Sequence, residues 1–139
     1  MTKLKITNSL DTKVLLSTIW IFATLNYLYC DLLGLMDTES LRQYIEGSIN
    51  GITITPEFLL GAAVLVEIPM AMVLLSRILK YRLNRWTNII AGLIMTVVQI
   101  GTLFVGKSTG YYIFCSVLEI AATASIVWIA WNWKQERAS

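Results

Sequence analysis

The sequence predicts an all-α fold, an integral membrane four-helix bundle, on three observations. Of its 139 residues, 56% are hydrophobic and 14% charged, whereas soluble domains carry about 25% charged residues. Mean hydropathy is +0.65. Four apolar runs, residues 14–35, 58–79, 86–105 and 110–133, each reach the roughly 20 residues that cross hydrocarbon. They are too long and unbroken for barrel strands, and a spanning segment must satisfy its own backbone hydrogen bonds, so all four are helices. No repeat, low-complexity segment or linker interrupts them, and residues 1–139 form a single transmembrane domain whose first partner is the lipid bilayer.

The first span is longer than a signal peptide's apolar core and lacks a small-residue exit, so it is retained. The bulky residues of "YLYC", ending at Cys30, likewise exclude a lipoprotein signal. The link over residues 36–57 contains "DTESLRQYIEG", which opens on capping residues and places Leu41, Tyr44 and Ile45 on one face, the pattern of a short amphipathic helix at the interface. "NGITITPEF" then reads as a turn, a short extended piece and a helix start with Thr55 as cap and Pro56 in the first turn. In the second span Pro69 removes the donor that would reach the Leu65 carbonyl and kinks the helix beside Glu67.

Orientation follows from the basic residues. Lys3, Lys5 and Lys13 precede the first span, Arg77, Lys80, Arg82 and Arg85 surround the second link, and Lys134 and Arg137 follow the fourth span. The other two links hold only Arg42 and Lys107. Positive charge concentrates on the cytoplasmic side, so both termini are expected there, in a bacterial inner membrane. Trp86, Trp128, Trp131 and Trp133 suit the inner aromatic belt, and Tyr111 and Tyr112 the outer one.

Several function classes fall away. A formal net charge of +2 without a basic stripe argues against nucleic acid as a partner. The absence of histidine removes Ser-His-Asp and Cys-His catalysis, the HExxH zinc motif and imidazole ligation of haem. Two cysteines, Cys30 and Cys115, are too few and too far apart for a zinc site, and no cofactor or metal motif is present. An enzyme is thus the less favoured class.

The informative residues are the polar ones inside the spans. Charged groups at bilayer depth are rare and usually face a bundle interior, where they bind or conduct something. Glu67 and Glu119 each lie about nine residues in from the outer side, at one depth near the midplane. Gln99 and Asn26 lie slightly above. At helical spacing Tyr112, Cys115, Ser116, Glu119 and Thr123 make a polar stripe on the fourth span. Asn88, Gly92, Met95, Gln99 and Gly106 share a face of the third, and on the first Asn26 aligns with Cys30 and Tyr27 with Asp31. These faces are expected to converge on an outward-facing pocket.

None of the 11 lysines and arginines sits mid-span, so neither acid has a resident cation. The acids are then protonated and hydrogen-bonded, or ionised around a cationic ligand, or share one proton. Cys30 and Cys115 fall at similar outer depth and form a candidate redox pair, or are simply small buried residues. Gly61, Ala62 and Ala63, and residues 121–125, mark close helix contacts within one bundle or between copies in a homo-oligomer.

The stretches "WIFATLNYLYCDLLGLMD", "FLLGAAVLVEIPMAMVLLSRILKYRLNRWTNIIAG" and "YYIF…LE" with its aromatic, basic tail resemble a family of small bacterial four-span membrane proteins known as a domain of unknown function. More distantly, a second-span glutamate followed by an Arg-containing turn looks like the DoxX-like group, which implies a compact four-helix bundle and a tie to quinone or thiol redox chemistry. Small multidrug exporters carry their essential acid in the first span, where this chain has only Asn26 and Asp31.

Three functions remain. One is binding or transport of a small amphipathic or cationic molecule, with Glu67 and Glu119 as charge partners, Gln99 and Asn26 as orienting amides, Tyr112 as a wall, and Ser116 and Thr123 on the same stripe. The second is a membrane isomerase or redox enzyme in which the two carboxyls act as acid and base. The third is an assembly subunit whose acids hold helices together.

Overall fold

The computed structural model describes residues 2–105 and 108–134; for residues 2–10 it describes the backbone alone. Gly106, Lys107 and Arg137, invoked above, lie outside the described residues. Five helices and one hairpin follow in order: α1 Thr2–Met36, α2 Thr38–Ile45, β1 Ser48–Ile49, β2 Ile52–Thr53, α3 Pro56–Ile78, α4 Tyr81–Leu103 and α5 Gly110–Asn132. Four are long and apolar enough to cross a membrane: α1 from Asp11, α3, α4 and α5. The expected four-span helical architecture is what forms.

α1 begins at Thr2, twelve residues before its apolar run, and α4 also begins early. Hydropathy begins that span at Trp86, but the helix begins at Tyr81, and only Leu79 and Lys80 separate it from α3. Arg82 and Arg85 depress the hydropathy of a turn that is nonetheless helical. The long link between α1 and α3 is ordered as anticipated. Asp37 caps α2 by accepting from the Ser40 N–H at 3.0 Å, and Thr55 caps α3 by accepting from the Phe58 N–H at 3.2 Å, with Pro56 in the first turn. Between them β1 and β2 pair antiparallel, Ser48 opposite Thr53 and Ile49 opposite Ile52. The two-residue turn puts Asn50 at φ 47° and Gly51 at φ 83°, the positive values that an Asn-Gly hairpin turn requires.

Side-chain bonds set the packing. α1 and α3 run antiparallel, with Lys13 Nζ donating to the Leu79 carbonyl (2.7 Å) and Ser17 Oγ to the Val73 carbonyl (2.8 Å). α4 and α5 are joined likewise. Tyr81 Oη donates to the Trp133 carbonyl (2.6 Å), and the Tyr81 and Trp133 rings meet edge to face at 5.0 Å. Arg85 donates to the carbonyls of Ala130 (3.1 Å) and Trp131 (2.9 Å), covering the unsatisfied acceptors at the end of α5. The core runs through Leu16, Trp20, Met72, Ala91, Met95, Ile126 and Trp133. Trp133 is therefore buried, while Trp86, Trp128 and Trp131 are exposed as belt residues should be.

One end of the bundle thus carries the N-terminus, the α3–α4 link and the end of α5. The other carries α2 and the hairpin. At the termini end a polar cluster ties three helices together. Asn88 Oδ1 accepts from Trp20 Nε1 (2.8 Å) and Ser76 Oγ (3.1 Å). Asn88 Nδ2 donates to the Asn84 carbonyl (2.9 Å) and to Asn84 Oδ1 (2.7 Å), and Asn84 Nδ2 donates to the Ser76 carbonyl at 2.6 Å. All of these side chains are buried.

A candidate polar site at the hairpin end

α5 presents the stripe its spacing promised. Cys115, Ser116, Glu119 and Thr123 are buried and Tyr112 is half-buried, whereas Ile113, Val117 and Ala124 are exposed. Facing it, Gln99 of α4 donates from Nε2 to Ser116 Oγ at 2.8 Å. One turn deeper, Thr96 Oγ1 lies 2.8 Å from Thr123 Oγ1, whose hydroxyl donates to the Glu119 carbonyl at 3.0 Å. α4 comes this close because residue 92 is glycine: a Cβ there would lie 2.7 Å from Val127 Cγ2 and 3.2 Å from the Thr123 carbonyl.

α1 supplies the third wall. Cys30 and Cys115 are both free and buried, and the two thiols lie within electrostatic reach of each other. Sequence depth placed them level; the structure brings them together. Asp31, also on α1, acts electrostatically on Glu119, and Glu119 in turn on Tyr27 of α1 and on Tyr112 of α5. Asp31 is exposed. Tyr44 of α2 lies within electrostatic reach of Asp31, Cys30, Tyr111 and Tyr112. Its burial pushes the phenol pKa up.

Two buried atoms here have no hydrogen-bond partner among the described residues: Glu119 Oε1 and Tyr27 Oη. Glu119 itself is 1% exposed. The one ion pair among the described residues is Arg42 with Glu46, on α2 and far from needing any acid of the site. An acidic, unsatisfied centre flanked by Asp31 is therefore what the three helices build, and it can accept a donor or a positive charge.

Two expected members are elsewhere. Glu67 is exposed on α3. The buried face of that helix carries Pro69, Met72 and Ser76, and Ser76 is nine residues from Glu67, about two and a half turns, hence on the opposite side. The middle of α3 is apolar on every side but that of Glu67, so this mid-helix acid is a misleading cue to the inner face. Pro69 lies fully buried within an unbroken α3. Asn26 is half-buried and donates from Nδ2 to the Phe22 carbonyl of its own helix (3.0 Å) rather than to the site. Gly61, Ala62 and Ala63 are exposed, and a Cβ added at Gly61 would meet nothing within 4 Å.

Sequence reasoning also missed residues. Helical spacing pairs Tyr27 with Asp31 but does not show them as Glu119's neighbours, and it places Tyr44 only on the apolar face of α2. The Trp20–Asn88–Asn84–Ser76 cluster is hidden from hydropathy because a span beginning at Trp86 leaves Asn84 outside it; two asparagines four residues apart on one helix face are its signal in the sequence.

Residues 4–139 match the model of a family described as a family of unknown function (DUF6326), so the chain belongs to that family. No curated protein and no solved structure matches it. The resemblance to the DoxX-like group gains no support from these comparisons.

Proposed function

We propose that this DUF6326 member binds or transports a small amphipathic or cationic molecule at the hairpin-end site, with proton exchange at Glu119 linked to binding. The observation that carries this reading is the carboxyl oxygen Oε1 of Glu119, buried without a partner. A buried polar atom left unsatisfied costs about 1–3 kcal/mol, and a ligand bringing an N–H or a cation recovers it. Asp31 adds negative charge, Tyr27 and Tyr112 offer aromatic faces to a cation, Ser116 fixes the Gln99 amide, and Thr123 holds the backbone at Glu119. Glu67 and Asn26 take no part.

The same reading places the protein in the bacterial inner membrane with both termini in the cytoplasm. Its support is the crowding of Lys13, Arg77, Lys80, Arg82, Arg85 and Lys134 at the termini end against Arg42 at the other, among the described residues. The site then opens outward, beneath α2.

Tetraphenylphosphonium binding to the protein in lipid vesicles, measured between pH 5 and 8, tests the reading. Glu119→Gln is expected to weaken binding at least tenfold and to abolish its pH dependence. Equal affinity and equal pH dependence in wild type and variant would reject it.

A second reading rests on the two buried thiols, within electrostatic reach of each other and of Glu119. Cys30 and Cys115 together would reduce a small disulfide, each protein thiol losing a proton and an electron, the protein gaining an S–S bond and two small thiols leaving. Stoichiometric reduction of a small disulfide that survives Cys30→Ser and Cys115→Ser would exclude this reading.

A further inference from the structure

Glu67 poses a separate problem. It is the central residue of α3, with 11 residues on either side in a helix of 23, so about 16 Å of helix separates it from each end. No glutamate side chain spans that distance to reach water. Hydrocarbon tails offer the carboxyl no hydrogen bond, and the interior of its own bundle lies on the opposite side of α3.

The residues around it form a seam. Leu60, Ala63, Glu67, Met70 and Leu74 follow one another at intervals of 3, 4, 3 and 4 and are all exposed, the spacing with which two helices pack side by side in a left-handed pair. Ala63 and Ala71 lie one turn before and after Glu67, so bulk is low where the polar group sits and backbones can approach. A single polar residue in an otherwise apolar seam fixes register and partner number.

We infer that the exposed face of α3 is the contact surface for α3 of a second copy of this chain, the two helices running parallel across a twofold axis with Glu67 facing Glu67. The pairing is self-complementary: identical carboxyls at identical depth hydrogen-bond each other, neutral or sharing one proton. A lipid-facing α3 satisfies neither carboxyl. A different protein would need its own polar group at the same depth, whereas a second copy has one by construction. This interface is independent of the Glu119 site.

The experiment is dimer formation by the full chain in vesicles, followed by energy transfer between labelled copies across a range of protein-to-lipid ratios. Wild type is expected to dimerise. Ala63→Phe and Glu67→Leu, both on the exposed face, are expected to keep wild-type helicity and to require at least tenfold more protein per lipid for half-dimerisation. In addition, Leu60→Cys is expected to give an oxidant-induced covalent dimer, and Leu59→Cys, one residue off the seam, is not. A wild type that stays monomeric throughout, either seam variant dimerising like wild type, or equal crosslinking at positions 59 and 60 would overturn the inference.

Discussion

Trp20 and Asn88, 68 positions apart in the chain, meet in the bundle interior, where the indole Nε1–H donates to the amide oxygen at 2.8 Å. The same oxygen accepts from Ser76, and the Asn88 amide donates twice to Asn84. Side-chain hydrogen bonds inside membrane proteins average about 0.6 kcal/mol each, so the four together contribute about 2 kcal/mol. Asn88→Leu also strands the buried donors of Trp20 and Ser76. It is expected to lower stability by about 2–3 kcal/mol, read as a shift in the denaturing detergent fraction at half-unfolding.

Gly92 and Gly101 separate two roles of a helical glycine. Gly92→Ala forces Val127 and the Thr123 carbonyl aside, and such overpacking costs about 1–3 kcal/mol. Gly101 has nothing within 4 Å of an added Cβ, so Gly101→Ala should be neutral or stabilising by up to about 1 kcal/mol. Unfolding midpoints that move equally for the two variants would contradict the close approach of α4 to α5.

The thiols of Cys30 and Cys115 should join under a mild oxidant such as diamide, with the loss of two protons and two electrons to it. The product is an intramolecular disulfide, detected as loss of both maleimide-reactive groups in the denatured protein without a change in its monomeric size. Retention of two free thiols after oxidation would mean that the pair is not in contact.

Asp37 makes the α2 cap sensitive to acid. The Ser40 hydroxyl, at 2.6 Å, and then the Ser40 N–H hold its carboxyl below the usual range. A depressed folded value means that the cap's contribution is complete above the unfolded carboxylate pKa and fades as pH falls through the depressed one. Hydrogen exchange at Ser40 and the first turn of α2 should therefore accelerate in acid in wild type, whereas Asp37→Asn should show no such acid step.

What sequence made legible was whatever periodicity could encode. α5 alternates polar and apolar faces cleanly, so Cys115, Ser116, Glu119 and Thr123 were assigned inward correctly, and Gln99 with them. The Asn-Gly turn and the Thr55-Pro56 helix start are local chemistry and were equally readable. α3 carries almost no facing signal, because an apolar helix packs as well on protein as on lipid; Glu67 was placed inside by the rarity of charge in membranes alone. Asn26 was misassigned because a half-buried amide can bond its own helix one turn back, an outcome no spacing rule forbids. The meeting of Cys30 with Cys115 depended on a helix-to-helix separation that only tertiary packing sets.

Lys13 and Arg85 are counted by topology rules as free positive charges, yet each is committed to the carbonyl end of a neighbouring helix, Lys13 at Leu79 and Arg85 at Ala130 and Trp131. Insertion polarity and tertiary assembly consequently draw on the same side chains. Relocating these cations to reverse the chain in the bilayer would not yield an inverted copy of the same protein, because the inverted chain would also lack the clasps that close α1 onto α3 and α4 onto α5.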